Sequence, residues 1–308
     1  MITALGGGVG AAKFLEGLSS VIENETLNVI VNTGDDISLN GLYISPDVDT
    51  IIYRLSGVID KKKGWGLEDD TFISLNSLEK FDLDTWFNIG DKDIATHIYR
   101  TYLRGKGLTA TEIASKIAEA FELPDNVNIM PMTDQDVETW IQTNEGEMHF
   151  QEYLVKRKMK PEVCRVTIRN IDHASPAPGV VDSIEKARAV IICPSNPIIS
   201  IGPILQVKGV REALKTTRAE IIAISPLVGG VPLKGPADKL MKGLGLEVSS
   251  AQVARLYSDF LDTMVIDVED AHENQKIIDT GLKTLVVDTV MSDKEKSANL
   301  ASSVLELI

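Results

Sequence analysis

The chain has 308 residues, 44% of them hydrophobic and 25% charged, an ordinary balance for a folded globular protein that can bury a substantial core. A net charge of −14 argues against a duplex-binding surface, which needs clustered cations. No nucleic-acid partner is therefore expected, and an acidic protein that handles phosphates must gather its cations locally or recruit a divalent metal. The two cysteines, Cys164 and Cys193, each sit in an apolar run and fit neither a disulfide framework nor a metal knuckle. No apolar stretch reaches the roughly 20 residues of a membrane span, and M-I-T-A-L-G-G-G lacks the pattern of a signal peptide. The expectation is a cytoplasmic protein with no membrane partner.

In chain order, 2–5 reads as a short strand running into Gly6-Gly7-Gly8-Val9-Gly10. Residues 11–22 carry Phe14, Leu15, Leu18, Val21 and Ile22 at helical spacing. A second strand at 27–31 ends on Asn32-Thr33-Gly34-Asp35-Asp36. Strand, glycine loop, helix, strand is the opening of a doubly wound sheet. Helices are expected at 91–103 and 109–121, the latter with a capping box of Thr109 and Glu112. Residues 138–150 alternate around Asn144-Glu145-Gly146, a hairpin signal. The stretch from about 108 to 169 reads as an inserted helix-plus-hairpin element within a single α/β domain. Strands follow at 189–193, 220–224, 263–267 and 283–288, with helices at 250–261, 271–281 and 293–307. Short apolar runs bounded by Pro, Ser or Asp are what parallel strands covered on both faces look like.

The loop G-G-G-V-G-A-A-K lets the backbone approach a phosphate, and the helix after it offers unpaired N–H groups and a partial positive charge. Gly6-x-Gly8-x-x-Ala11 is a variant of the dinucleotide fingerprint; without Gly-Lys-Ser/Thr it is not a Walker A loop. Lys13, one turn into the helix, is placed to reach a phosphate. A tight turn with no ligand is the plain alternative.

The pair Asp35-Asp36, with Asn32 beside it, offers the hard oxygens that Mg²⁺ prefers, although a Gly-Asp-Asp loop is by default a turn with solvated charges. In Ser45-Pro46-Asp47-Val48-Asp49-Thr50, Ser45 or Asp47 serves as a helix cap. Asp47 and Asp49 together suggest in addition a metal ligand or a general base for a hydroxyl nucleophile. Trp86-Phe87-Asn88-Ile89-Gly90-Asp91 by itself reads as a capped helix start with aromatics in the core. Cys193-Pro194-Ser195-Asn196-Pro197 leaves the carboxyl end of a strand, where ligands sit in open α/β sheets, and reads as a recognition loop. His97, His149, His173 and His272 form no site by spacing. Lys61-Lys62-Lys63 is a solvated run or an anion contact, and 226–235 is a surface loop or a mobile lid whose Lys234 touches phosphate.

Taken in order, G-G-G-V-G-A-A-K, N-T-G-D-D, G-L-Y-I-S-P-D-V-D-T, W-F-N-I-G-D-K-D-I-A-T-H, C-P-S-N-P-I-I-S-I-G-P-I-L and S-P-L-V-G-G-V-P-L-K-G-P-A-D-K-L-M strongly resemble the 2-phospho-L-lactate transferases of coenzyme F420 biosynthesis. The resemblance covers nearly the whole chain. It implies a Rossmann-like fold, usually dimeric, and a Mg²⁺-dependent transfer. A guanosine-diphosphate-linked lactyl or enolpyruvyl donor passes its phospho-acid group to the ribityl hydroxyl of the deazaflavin Fo, releasing GMP. Carried onto this sequence, Gly6, Gly7, Gly8, Gly10, Lys13 and Asn32 would serve the diphosphate. Ser195, Asn196, Pro197, Ser200 and Gly202 would take the guanosine end. Asp35, Asp36, Asp47 and Asp49 are the metal candidates, with Asp47 and Asp49 also the candidate bases. Asp49, Thr50, Asn88 and Trp86, or Phe87, would face Fo. Two other readings compete. One is a related nucleotide-sugar-binding regulator without transferase activity. The other is a nicotinamide oxidoreductase, which leaves the paired carboxylates and the Pro-Ser-Asn-Pro loop unexplained.

Overall fold

A computed structural model describes residues 1–22 and 25–308. Its centre is a seven-stranded, wholly parallel sheet. In spatial order the strands are Lys283–Val287, Thr263–Asp267, Glu220–Ile224, Ala189–Ile192, Ile2–Gly6, Leu27–Val31 and Val127–Pro131. The first strand thus lies centrally, between the second and the fourth of this sheet, and the winding direction reverses there. That reversal is the switch point at which open α/β sheets bind ligands.

The sequence reason is direct. The five inner strands are Val-, Ile- and Ala-rich runs buried on both faces, and successive residues alternate between two cores. Leu5, Ile30, Val190, Ile192 and Ala223 face one helical layer. Ala4, Val29, Val31, Ile191, Ile222 and Val265 face the other. The Rossmann-like, doubly wound, mostly parallel α/β architecture expected from the sequence is present, and every pairing in its main sheet is parallel. No helix among the described residues is long and apolar enough to cross a membrane.

Of the stretch 108–169, part belongs to the main sheet. The Ala110–Ala120 helix, with its Thr109/Glu112 capping box, leads to the edge strand Val127–Pro131. What stands apart is a small antiparallel sheet of Gly146–His149, Glu138–Thr143 and Val163–Arg169. It has its own core of Ile141, Met148, Phe150, Tyr153 and Val163, closed by Ile199 and Leu240 from the main body. The edge strand was hidden because Val127–Pro131 is short, half-exposed in alternation and ends in proline, which reads as a loop rather than a buried strand. Cys193 is buried, but Cys164 is exposed.

Candidate active site

A cavity of about 790 Å³ opens at the carboxyl end of the sheet, beside the switch point. Its floor is the glycine loop. The first strand ends at Gly6, Gly7 is the N-cap, and the helix Gly8–Val21 begins at once. Gly7 has extended backbone that any residue adopts, so its requirement is space: a Cβ there would overlap the carboxylate of Asp47. At Gly10 a Cβ would run into the carbonyl of Pro194. These glycines let the Pro194 loop and the Asp47 helix close on the same turn.

The Ser195 hydroxyl holds that junction. It donates to the Gly7 carbonyl at 2.9 Å and accepts from the Gly7 N–H at 3.2 Å. Asn196 Oδ1 accepts the N–H groups of Ile198 and Ile199, so this loop is held in shape by its own side chain. Ser195, Asn196 and Ser200 line the cavity; Pro197 and Gly202 lie behind it.

The acidic wall comes from the loop after the second strand and from the helix Pro46–Leu55. Proline at the first helical position and two acids in the first turn start this helix. Ser45 occupies the N-cap but makes no capping bond; its hydroxyl instead donates to Asp36 Oδ2 at 2.6 Å. Asp36 thereby turns away from the cavity, and burial pushes its carboxyl up to about 8. Asp35 does line the cavity, with Oδ1 buried and unpartnered. Asp47 also lines it and accepts from Asn32 Nδ2 at 2.9 Å; Asn32 itself stands behind. Burial raises both acids above the usual carboxylate range, and the charge of Asp47 adds to the shift of Asp35.

Asp49, two residues on, is engaged differently. Both its oxygens accept from the Arg100 guanidinium, one of them at 2.9 Å. Arg100 also donates to His97 Nδ1 at 3.3 Å, which makes Nδ1 an acceptor and leaves the ring proton on Nε2, 3.4 Å from Asp93 Oδ1. Tyr53 donates to the same Asp93 oxygen at 2.7 Å. Asp93, His97 and Arg100 lie at i, i+4 and i+7 on one buried face of the helix Asp93–Gly105. That helix is inverted: Ile98, Tyr99 and Tyr102 of the same helix are exposed. The scattered-histidine reading missed this; an Asp/His/Arg stripe at helical spacing was the available signal.

Lys13, Lys63 and Lys234 also line the cavity. Lys13 Nζ donates to the Met291 carbonyl at 2.8 Å, and Lys234 Nζ to the Lys63 carbonyl at 3.3 Å. Burial, and next the charge of Lys234, lower the Lys13 pKa. Of the aromatic candidates, Phe87 reaches the cavity together with Trp65. Trp86 packs edge-on against Phe87, centroids 5.8 Å apart, in a small cluster with Leu39, Ile44 and Ile89. Thr50 and Asn88 line the cavity as well. The inserted sheet contributes Phe150 and Gln151, and the segment after the last sheet strand contributes Thr289–Ser292, neither marked by any motif.

Among the described residues no three His, Cys, Asp or Glu side chains converge on one point. Mg²⁺, however, is commonly held by one or two carboxylates together with substrate phosphates. Asp35 and Asp47 fit that role: a divalent cation would relieve their mutual repulsion and give the orphaned Asp35 oxygen a partner.

The family model of 2-phospho-L-lactate transferase CofD matches residues 2–305. A 2-phospho-L-lactate transferase of Methanosarcina acetivorans is 43% identical over 303 residues, 98% of this chain and 97% of that one. A phosphoenolpyruvate transferase of Streptomyces griseus is 38% identical, covering 99% and 98%. A crystal structure of a UPF0052 family member from Bacillus halodurans superposes with a TM-score of 0.64 at 15% identity, covering 99% of this chain and 98% of that one, a likeness of fold. The chain belongs to the 2-phospho-L-lactate transferase CofD family and is a transferase.

Proposed function

We propose that the chain transfers the phospho-acid group of a guanosine-diphosphate-linked three-carbon acid to the ribityl hydroxyl of the deazaflavin Fo. The reaction releases GMP and forms the F420-0 precursor of coenzyme F420. The observation that carries this reading is one cavity at the switch point that is lined both by the acids Asp35 and Asp47 and by Lys13, Lys63 and Lys234. Phosphoryl-type transfer needs positioning and charge neutralisation more than a covalent nucleophile. That requirement is consistent with a site built without a reactive cysteine or serine.

In this reading the diphosphate lies over the N-terminus of the Gly8–Val21 helix, with Lys13 and Lys234 neutralising it. The guanosine end faces Asn196 and Ser200, and the flat deazaflavin lies against Trp65 and Phe87. Asp35 and Asp47 would hold Mg²⁺, which would supply charge neutralisation at the phosphates. Asp47 takes the proton of the attacking hydroxyl. The hydroxyl oxygen bonds to the acid-side phosphorus, and the phosphoanhydride bond to GMP breaks. Asp49, held by Arg100, orients the helix that carries Asp47 and Thr50. The relatives bear the names of two different three-carbon acids, so the donor class is a three-carbon acid rather than a sugar. We also read the chain as a homodimer, a proposal that the outward Ile98, Tyr99 and Tyr102 support and that light scattering tests.

Titration with Fo, followed by deazaflavin fluorescence with and without GDP and Mg²⁺, tests the reading. Saturable binding at micromolar concentrations or tighter, followed by GMP release on adding donor, is the expected result. Binding of GDP or a nucleotide sugar with no response to Fo would instead support a nucleotide-sugar-binding regulator.

A further inference from the structure

Leu227 pairs with Pro232 and Val228 with Val231 in a two-residue hairpin. Its tip is Gly229-Gly230, with φ of 60° and 73°. Two consecutive positive φ values are what a type I′ hairpin turn requires and glycine supplies without steric cost. Both tip amides are spoken for by one carboxylate. Gly229 N–H donates to Asp270 Oδ2 at 3.1 Å, and Gly230 N–H to Oδ1 at 2.9 Å.

Asp270 is fully buried in the 3₁₀ turn Val268–Glu273, which follows the strand Thr263–Asp267. That turn is anchored at both ends. Asp267 accepts from Glu269 N–H at 3.0 Å and from the N–H and hydroxyl of Thr289 at 2.7 and 2.9 Å. Glu273 accepts from Ala251 N–H at 2.8 Å. Asp270 therefore fixes an exposed hairpin to a rigid part of the sheet.

Beyond the hairpin, Leu233, Lys234, Gly235, Pro236 and Ala237 all line the cavity. Lys234 and Lys13 share this space, an arrangement of two like charges that an anion relieves. We propose that Asp270 is a positioning residue for anion binding: its bonds to the two glycine amides set the hairpin so that Lys234 meets the phosphates of the bound donor. The identity of the anion rests on the diphosphate-donor reading above; the coupling between Asp270 and Lys234 does not.

The test is a double-mutant cycle read calorimetrically as the Kd for inorganic pyrophosphate. Lys234→Ala is expected to raise Kd about tenfold, the loss of one charge-assisted contact. Asp270→Ala should raise it by a similar factor, and the double variant should be no weaker than Lys234→Ala alone. Hydrogen exchange at Gly229 and Gly230 should quicken in Asp270→Ala and stay unchanged in Lys234→Ala. Asp270→Asn, which keeps an acceptor oxygen and the side-chain shape, should fall between and carries the test if the alanine variant does not fold. An unchanged Kd in both Asp270 variants, or effects that multiply in the double variant, would overturn the proposal, as would a wild-type protein with no pyrophosphate affinity. A wild-type protein that takes pyrophosphate but not GDP defeats the nucleotide reading alone, and the cycle still decides the role of Asp270.

Discussion

The two walls of the cavity are built on opposite plans. The acidic wall is buried and locked: Asp35, Asp47 and Asp49 are all below 8% exposed, and Asp49 is tied through Arg100 into a network that ends at Tyr53. The cationic wall is looser. Lys13 and Lys63 are half-buried and Lys234 is exposed; Lys13 and Lys234 donate to backbone carbonyls, and Lys63 pairs with Asp60 at 3.0 Å. In the proposed reaction, charge pre-set at the reacting atoms justifies a desolvation cost. Where a charge has only to meet an incoming anion, it stays near solvent and adapts. Within the acidic wall the same contrast recurs over two residues: Asp49 is neutralised by the protein, whereas no lysine, arginine or histidine of the described residues lies within ion-pair distance of Asp47.

The sharpest way to break this contrast is Asp47→Asn. Removal of a general base should lower kcat by about 10² to 10⁴ with the circular-dichroism spectrum unchanged. Near-wild-type turnover would take Asp47 out of the chemistry and dissolve the difference between it and Asp49. Arg100→Ala addresses the locked side: with the buried Asp49 charge left uncompensated, stability in urea should drop by about 3–5 kcal/mol. A loss below about 1 kcal/mol would mean that the pair is not the anchor described here.

On the cationic wall, Lys13→Ala should raise the donor KM about tenfold and leave kcat within about threefold, the signature of ground-state binding. A fall in kcat at constant KM would place Lys13 with the acids as a transition-state group. The smallest effect belongs to the far end of the sheet. There Glu25 bonds Arg188 and the N-terminal ammonium, both at 2.7 Å. The Arg188 hydrogen bond, helped by the terminal ammonium, lowers its carboxyl from 4.5 to about 2. A depressed acid stabilises the fold above its unfolded value, and that contribution is lost as pH falls from about 4.5 through about 2. Glu25→Gln should therefore cost about 1 kcal/mol at neutral pH and much less at pH 2, as urea melts at the two values can show. Equal costs at both would show that the ion pair is not the source.

The glycine loop, the strand spacing and the ordered motifs were legible because each is local. A strand buried on both faces must be continuously apolar, and a backbone that approaches another chain segment must shed its Cβ. Six of the seven central strands could be read this way. The helix Asp93–Gly105 could not, because periodicity assigns the apolar stripe to the core and here Asp93, His97 and Arg100 take that place. Trp86 and Phe87 show the same limit: the two rings pack against each other, and the sequence alone does not say which one meets the cavity.

From sequence alone one could read the layered fold, the position of the glycine turn at the first strand, and which short segments carry acids and glycines. Tertiary structure decided which carboxylate is free. Asp36 turns to Ser45, Asp49 to Arg100, and Asp35 and Asp47 are left facing the cavity. The reason is that an acid's role depends on the partner that compensates its buried charge. Arg100 is 51 residues from Asp49 and Asp270 is about 40 from the hairpin it holds, separations over which only the packed fold brings donor to acceptor.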